Sequence, residues 1–391
     1  MTGVERRASV GLALIFALRM LGLFLVLPVF MLEASKYPGG DDPAMIGLAM
    51  GLYGLTQAVF QLPLGLASDR FGRKRVIVAG LLVFALGSMV AAMATTLPGL
   101  MLGRGLQGAG AVSAAVTALL ADLTRDGVRT KAMALVGGSI GLMFALALVL
   151  SPLLSAWIGL SGIFGLTCAL ALAGIAVVLW VVPPEPLQHA DANRGRMADL
   201  LRHGDLLRLN FGVFILHTVQ MSMWVAVPAM LVQAGLVKSE HWHIYLPAVL
   251  LSFVAMGGLF SMERKGKLRA ALLGSIVLVL VVQVGLALLS AQSNEPSLWV
   301  MALLMFLFFC GFNALEASQP SLVSRMAPAP LRGAALGAYN TLQSLGLFAG
   351  GALGGAVVKW VGMPGLFTMT AVLTVLWLVL TWPLRPVGRH G

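Results

Sequence analysis

Four ionisable side chains stand inside runs of otherwise apolar residues: Arg19, Arg104, His217 and Glu316. A charged side chain is costly in apolar surroundings, so each of these residues needs either a compensating partner or a function. A carboxyl group or an imidazole can take up and release a proton, and a guanidinium group can bind an anion or neutralise an acid. The four residues therefore predict a site for proton transfer, for binding of a polar ligand, or for both.

Glu316 is the only acidic residue well inside one of these runs. At helical spacing it shares a face with Asn313 and Pro320. A carboxyl group that meets water on one side at a time exchanges its proton with that side only, so Glu316 is predicted to bind a coupling proton. The alternative is a permanent ion pair with Arg19 or Arg104 that holds the helices together.

Arg19 and Arg104 are predicted to act in proton coupling together with Glu316. Arg19 could equally bind an anionic substrate, or join its helix to another helix. Arg104 could instead be a structural arginine that donates to backbone carbonyl groups. The sequence leaves these alternatives open.

Further polar residues in the apolar runs are predicted to contact a substrate, because they recur at helical spacing on shared faces. The predicted substrate-binding residues are Arg19, Gln57, Gln61, His217, Gln220, Trp224, Asn313 and Glu316. The alternative for each is a hydrogen bond between packed helices. No second metal ligand accompanies His217, so no metal site is predicted.

The elements that carry these residues follow from the composition. Apolar residues make up 59% of the chain and the mean hydropathy is +0.93, more than a water-soluble core requires. A helix needs about 20 residues to cross the bilayer core, and runs of that length recur along the whole sequence. They predict an all-α membrane protein with twelve transmembrane helices, at 9–32, 44–66, 76–94, 98–121, 132–157, 162–182, 208–232, 243–261, 269–290, 297–320, 333–357 and 363–382.

Lysine and arginine are distributed asymmetrically between the connections. With the N-terminus in the cytoplasm, 21 of the 26 basic residues fall on the cytoplasmic side, and only Lys36, Lys238 and Lys359 fall outside. Because positive residues are retained on the cytoplasmic side, both termini are predicted to be cytoplasmic. The same bias explains the net charge of +11, so no nucleic-acid partner is predicted.

The longest polar stretch divides the predicted helices into two groups of six. Residues 183–207 begin with Pro-Pro-Glu-Pro and carry mixed charge, which predicts a cytoplasmic linker. Residues 1–182 and 208–391 then form two six-helix halves. A short internal repeat supports this division, because Asp69–Arg73 resembles Glu263–Lys267 at a constant offset of 194.

Several longer motifs resemble a known family. GLASDRFGRKR at 65–75 resembles motif A of the major facilitator superfamily, and LMLGRGLQGAGA at 100–111 is similar to its helix 4 motif. Other stretches resemble the YajR-type bacterial transporters of this superfamily, at 19–30, 53–74, 121–134 and 312–328. Members of that subfamily often carry a soluble C-terminal domain, which this sequence is expected to lack.

The resemblance implies a role for the charged turn at 65–75. In the superfamily, motif A forms a conformational latch between the halves. The resemblance therefore implies that Asp69 lies near the N-terminus of the eleventh predicted helix, 333–357, where the helix dipole and Arg332 favour negative charge. The residues assigned to this latch are Gly65, Asp69, Arg70, Gly72, Arg73 and Arg332. The alternative is a basic loop that only sets the topology, which would leave Asp69 and the two glycines unexplained.

The resemblance also implies a function. Superfamily members are secondary transporters whose halves move around a central site, and the helices that carry Arg19, Arg104, His217 and Glu316 line that site. We therefore expect a multi-pass protein of the bacterial inner membrane, active as a monomer, that couples protons to efflux of a small amphipathic or hydrophobic compound. A proton-coupled importer and a lipid or glycolipid flippase of the same fold are the alternatives. Neither a cofactor nor an enzymatic activity is predicted, because the sequence contains no P-loop and no paired catalytic residues.

Overall fold

The computed structural model describes residues 1–185, 203–265, 267–292, 294–328 and 331–384, and within these ranges all regular structure is helical. The predicted all-α class is therefore confirmed. The chain forms two compact units, Met1–Ala190 and Asp191–Gly391. Residues 186–202, which make up most of the predicted linker, lie outside the described ranges, so the linker stays a prediction.

The described residues of the first unit form seven α-helices and a short π-helix. Capping residues mark several of the helix ends: Thr2 and Glu5 form a capping box at the first helix, and Asp42 caps the helix that begins at Pro43. The helices are α1 Gly3–Val26, α2 Phe30–Ala34, α3 Pro43–Phe71, α4 Arg73–Met93, α5 Leu97–Ala109, α6 Ser113–Asp122, α7 Asp126–Ala176 and the π-helix Val177–Val181.

The described residues of the second unit form five α-helices and one 3₁₀ turn. The elements are α8 Gly204–Gln233, the 3₁₀ turn Lys238–Glu240, α9 Trp242–Arg264, α10 Leu268–Ser290, α11 Leu298–Met326 and α12 Arg332–Thr381. Helix α8 is central to this unit, because 89% of its most apolar stretch is buried. Its buried polar residues are Asn210, His217, Thr218, Gln220 and Ser222.

Two helices are too long for a single crossing. Helices α7 and α12 contain 51 and 50 residues, whereas about 20 residues cross the bilayer core. Each is interrupted by a glycine with positive φ, Gly159 at 65° and Gly362 at 82°, a conformation that glycine adopts readily. Both breaks coincide with predicted connections, so α7 and α12 each comprise two predicted spans.

The first and fourth predicted spans are divided, contrary to the sequence prediction. Helix α1 begins at Gly3 and ends at Val26, because Pro28 has no backbone N–H to continue the helix. A turn at residues 27–29 follows, and α2 begins at Phe30 within the predicted span 9–32. Span 98–121 is interrupted between α5 and α6. All twelve predicted spans nevertheless coincide with helical residues, and eight helices of the described chain are long and apolar enough to cross a membrane.

Five strongly exposed tryptophans lie near the ends of these apolar segments. Their exposure ranges from 61% to 87%: Trp157, Trp180, Trp299, Trp360 and Trp382. Two of them lie just before the glycine breaks in α7 and α12. Because tryptophan accumulates at membrane–water interfaces, these positions support membrane crossings that end there.

The closest packing in the second unit joins α8 and α12. A Cβ atom at Gly346 would lie 2.4 Å from the carbonyl oxygen of Phe214, and one at Gly350 would lie 2.3 Å from that of Thr218. The Thr218 hydroxyl also donates a hydrogen bond of 3.3 Å to the Gly346 carbonyl. The two backbones therefore touch directly, which fixes the positions of the side chains that α8 and α12 present to α11.

His241 is a buried residue in the connection between α8 and α9, outside the predicted spans. Burial lowers the pKa of His241 from 6.5 to about 4, and the positive charge of Lys238 acts in the same direction. Between these pH values the unfolded chain binds more protons at His241 than the folded chain does. Folding therefore becomes less favourable as the pH falls through this window.

We expect His241→Gln to reduce the loss of thermal stability between pH 6.5 and pH 4. The measurement is the Tm in detergent at several pH values across this window. His243→Gln is the matched control, because His243 lies two residues away in the first turn of α9 and is exposed. The prediction is wrong if the His241 variant loses as much stability with acidification as the unsubstituted protein.

Candidate functional site

The predicted proton-binding residue Glu316 lies in a hydrogen-bonded cluster of the second unit. Its Oε1 accepts a hydrogen bond of 3.2 Å from Nε2 of Gln343, and its Oε2 lies 3.4 Å from Nε2 of His217. The amide nitrogen of Gln343 also lies 2.7 Å from Nε2 of His217. Helices α8, α11 and α12 thus each contribute one side chain to this cluster.

The hydrogen bonds of His217 define its tautomer. Nδ1 lies 3.0 Å from the carbonyl oxygen of Val213, one turn earlier on α8. A carbonyl group only accepts, so Nδ1 carries the proton and Nε2 of the neutral ring accepts from the Gln343 amide. A second proton on Nε2 would place two donors against each other. Protonation of His217 therefore requires Gln343 to reorient.

Glu316 and His217 differ sharply in exposure. The Glu316 side chain is 38% exposed, whereas that of His217 is 4% exposed. Phe312 of α11 packs edge-on against the imidazole with ring centroids 5.9 Å apart. The cluster thus joins a partly exposed glutamate, whose Oε2 toward His217 is itself buried, to a shielded imidazole.

Two other predicted substrate-binding residues of this unit contact α9 instead. Asn313 donates a hydrogen bond of 2.8 Å to the Ser252 hydroxyl. Trp224 packs edge-on against Tyr245 with ring centroids 5.5 Å apart. Both contacts are those of packed helices, which was the alternative left open by the sequence. The structure brings His217 to Glu316 but directs Asn313 and Trp224 elsewhere.

The three predicted glutamines are buried or partly buried. Gln61 and Gln220 are buried, and Gln57 is partly buried. The side-chain oxygens of Gln57 and Gln61 accept no hydrogen bond from the described residues. Because buried acceptors are normally paired, these two oxygens on α3 are available to a donor from a ligand or water.

Arg19 and Arg104 share an aromatic neighbour in the first unit. Arg19 donates hydrogen bonds of 3.0 Å to the hydroxyl of Tyr53 and 3.1 Å to that of Ser113. The Arg104 guanidinium lies 4.8 Å from the centroid of the Tyr53 ring, within range of a cation–π interaction. Tyr53 thus contacts both buried arginines, Arg19 through its hydroxyl group and Arg104 through the face of its ring.

Arg104 also belongs to a buried network between α3, α4 and α5. It donates 2.8 Å to Oε1 of Gln107 and 3.5 Å to the carbonyl oxygen of Met50. The Gln107 amide in turn donates 2.8 Å to the Ser88 hydroxyl. This network supports the structural alternative for Arg104. Its partners are neutral, so they do not neutralise the charge of the guanidinium group.

The hydrogen-bond partners of both arginines within the described first unit are neutral. The Nε atoms of Arg19 and Arg104 are buried and donate to no described residue. Among the described residues, no carboxylate therefore forms a hydrogen bond or ion pair with either of these two buried guanidinium groups. A buried charge of this kind is stabilised by an opposite charge, so an anionic group is the chemical complement of this pair.

The charged turn at residues 65–75 is organised around Gly72 and Glu185. Gly72 joins α3 to α4 with φ of 99°, and a Cβ atom there would lie 2.7 Å from Oε1 of Glu185. The other carboxylate oxygen of Glu185 accepts a hydrogen bond of 3.2 Å from the Lys74 backbone N–H. Glu185 therefore caps the N-terminus of α4, where negative charge is favourable.

Arg73 connects this turn to two acidic residues of the same unit. Its guanidinium group pairs with Asp69, one turn earlier on the sequence, and lies 3.2 Å from Asp122 at the end of α6. Arg70 stacks on the adjacent Phe71 ring instead. Arg332 is exposed at the start of α12, and its predicted pairing with motif A stays a prediction.

Gly72→Ala is expected to destabilise the protein by about 1–3 kcal/mol, because φ of 99° and ψ of 139° form a backbone conformation that residues with a Cβ rarely adopt. The new Cβ would also displace the Glu185 carboxylate from its position at α4. Gly65→Ala is the matched control in the same motif, because its Cβ would lie 3.5 Å from Ala114, an ordinary contact. The measurement is the Tm of both variants in detergent. Equal changes in Tm would contradict the prediction.

Comparison with known proteins gives the family. Residues 12–351 match the model of the Major Facilitator Superfamily. The chain belongs to this superfamily. Among its members, the inner membrane transport protein YajR of Escherichia coli is 43% identical over 383 residues, covering 97% of this chain and 83% of the relative. The family predicted from motif A is therefore confirmed, and the protein is a multi-pass membrane transporter.

A second relative and a solved structure also match this chain. The class B tetracycline resistance protein of Escherichia coli is 32% identical over 155 residues, which cover 39% of this chain and 38% of that protein. The crystal structure of the human organic anion transporter MFSD10 superposes with a TM-score of 0.72 at 19% identity, covering 96% of this chain and 99% of the other. The latter likeness shows that the superfamily fold is shared.

Tyr53, Glu185 and Gln343 are among the cluster residues that were not predicted from the sequence. Tyr53 and Gln343 are uncharged, so the presence of charge in an apolar run did not mark them. Gln343 follows Tyr339 by one helical turn on α12, and this polar pair on one face was a usable signal. Glu185 lies 111 residues from the backbone group that it caps, and no local pattern indicates that contact.

Proposed function

We propose that this superfamily transporter couples proton movement to the export of a small amphipathic compound by alternating access. The cluster of Glu316, His217 and Gln343 carries the proposal, because it places a partly exposed acid beside a shielded imidazole. The name of the YajR relative and the distribution of basic residues support a location in the bacterial inner membrane with cytoplasmic termini.

A proton at Glu316 changes the hydrogen bonds between three helices. The neutral carboxyl group becomes a donor toward Nε2 of His217, which has a single lone pair and already accepts from Gln343. The Gln343 amide must then turn away from His217, or rotate so that its oxygen takes the place of its nitrogen. Protonation thus replaces one set of contacts among α8, α11 and α12 by another. A ligand that favours one of these sets shifts the population of conformations.

The first unit supplies the charge that we assign to substrate binding. Arg19 and Arg104 lack an acidic partner among the described residues of that unit, which favours a substrate with an anionic group. The free amide oxygens of Gln57 and Gln61 on α3 would accept hydrogen bonds from its polar part. We therefore propose an amphipathic anion as the exported compound.

We assign the conformational latch to motif A. Arg73 holds Asp69 and Asp122 together in the first unit, which positions the Asp69 carboxylate for release or capture by a partner. Arg332 at the start of α12 is the partner that the superfamily resemblance suggests. Export as the direction is supported by the likeness to a tetracycline resistance protein, although only part of the chain takes part in that match.

The experiment is reconstitution into liposomes with an imposed pH gradient and a pH-sensitive dye inside. Compounds from a panel of amphipathic anions, matched cations and neutral analogues are added, and substrate-dependent proton flux is recorded. We expect flux with anions and none with the protein-free control. Absence of substrate-dependent proton flux across the panel would overturn the coupling. Proton flux together with accumulation of the compound on the side that carries the cytoplasmic face of the protein would identify an importer. Movement of labelled lipid without flux of a soluble substrate would identify a flippase.

A further inference from the structure

The second unit contains an apolar cleft that the proposed transport mechanism does not use. It lies between α9 and α10, has a volume of about 360 Å³, and is closed at its base by α11. Ala271, Ser275 and Ala314 form a buried floor, whereas Gly258 and Gly274 on its walls are exposed. The cleft is therefore an open groove on the surface of the unit.

Small side chains create this groove. Helices α9 and α10 follow each other in sequence, yet α9 packs mainly on α11, α10 packs on both α11 and α12, and the two helices touch each other little. A Cβ atom added at Gly258 or at Gly274 would meet no atom within 4 Å. The space between the two helices is thus wide enough for a flexible apolar chain, and it is not filled by side chains of this unit.

One end of the groove meets a cluster of basic residues. Met262 and Ala270 line the groove, and the sequence between them contains four basic residues and one acidic residue. These residues are Glu263, Arg264, Lys265, Lys267 and Arg269. The positive-inside rule places this turn on the cytoplasmic side of the membrane. An apolar groove that ends at a cationic turn complements a molecule with an apolar tail and an anionic head.

The cations of the turn are not equally available. Arg269 donates to the carbonyl oxygen of Trp382 and lies 6.0 Å from the centroid of its ring, so it is attached to the end of α12. Lys265 and Lys267 are exposed. Lysine can extend along apolar surface while its ammonium group stays at the headgroup level, so these two residues are the cations that a bound anion would reach.

We propose that this groove binds an anionic glycerophospholipid of the cytoplasmic leaflet, with an acyl chain between α9 and α10 and the phosphate at Lys265 and Lys267. The lining residues carry no charge, so a soluble anion has no partner inside the groove. Basic pockets between transmembrane helices on the cytoplasmic side bind anionic headgroups by this combination of contacts. The inference is independent of the transported substrate and of the coupling proton.

The test uses phosphatidylglycerol with a photoreactive diazirine on one acyl chain, incorporated into nanodiscs that contain the full-length protein. After illumination, peptide mass spectrometry locates the cross-links. We expect cross-links concentrated on residues 255–278, and much weaker labelling by the matched phosphatidylcholine probe. Equal labelling by the two probes would overturn the proposal in favour of a groove without headgroup selectivity, and so would labelling spread evenly over exposed helices.

Two variants test the groove and the headgroup separately. Gly274→Leu fills the groove without a backbone clash and is expected to abolish the preference for phosphatidylglycerol. Gly257→Leu is the matched control, because its Cβ is equally unobstructed but Gly257 does not line the groove. Lys267→Gln should weaken labelling about fivefold, because one basic residue contributes about 1 kcal/mol to the binding of anionic lipid at the membrane surface. Unchanged labelling in folded Gly274→Leu protein, checked by its Tm, would overturn the proposal.

Discussion

Glu316→Gln is expected to abolish proton movement coupled to substrate, with a loss on the order of 100-fold or more, the usual contribution of a positioned proton-transfer group. Glutamine keeps the shape of the side chain and can still bond to Gln343, but it cannot release a proton. The measurement is substrate-driven proton flux in liposomes, together with substrate binding by thermal shift. Binding is expected to persist, because the substituted group is assigned to coupling.

The control for this prediction is Glu295→Gln, which removes an exposed carboxyl group from the connection between α10 and α11. It should leave coupled flux unchanged. Full proton coupling in the Glu316 variant would contradict the assignment of Glu316 as the proton-binding residue. Loss of coupling in both variants would show that the assay reports net charge or folding instead of this site.

Gly350→Val is expected to give the largest loss of stability, about 3 kcal/mol or more, which is at the upper end for an overpacked core. A Cβ atom at Gly350 would lie 2.3 Å from the carbonyl oxygen of Thr218 and 2.7 Å from Cβ of Met221. Backbone atoms cannot move aside as a flexible side chain can, so α12 must separate from α8. The variant should lose its monodisperse peak in detergent or show a strongly lowered Tm.

Gly257→Val serves as the control for Gly350→Val. It makes the same change in a helix of the same unit, where a new Cβ would meet no atom within 4 Å. We expect its Tm to stay near that of the unsubstituted protein. A stable, monodisperse Gly350 variant would contradict the direct backbone contact between α8 and α12, and with it the positioning of His217.

Much of the helical framework follows from the sequence alone. Apolar runs of bilayer length locate all twelve helical segments, because backbone hydrogen bonds in lipid can be satisfied within a helix. The connections at Gly159 and Gly362 were predicted from the gaps between runs, although the structure turns there with a single glycine and no loop. The break between α5 and α6 was not predicted, since apolarity continues across residues 110–112 and only the backbone changes.

The candidate site was predictable in part. The cost of burying charge pointed to Arg19, Arg104, His217 and Glu316, and the structure places His217 beside Glu316. Their hydrogen-bond partners were not predictable, because a partner depends on how neighbouring helices are rotated and shifted. Asn313 illustrates the limit: it lies one turn from Glu316 on α11, yet it bonds to α9.

The cap on α4 has a consequence for synthesis of the chain. The Lys74 backbone N–H and Gly72 meet a carboxylate that follows 111 residues later, after the sixth span. While the polypeptide leaves the ribosome, the turn between the second and third spans therefore lacks this cap. Motif A reaches its final form only when the whole first unit has been inserted. The hydrogen bond from Lys74 to Glu185 can thus form during translation only after the N-terminal half has been synthesised.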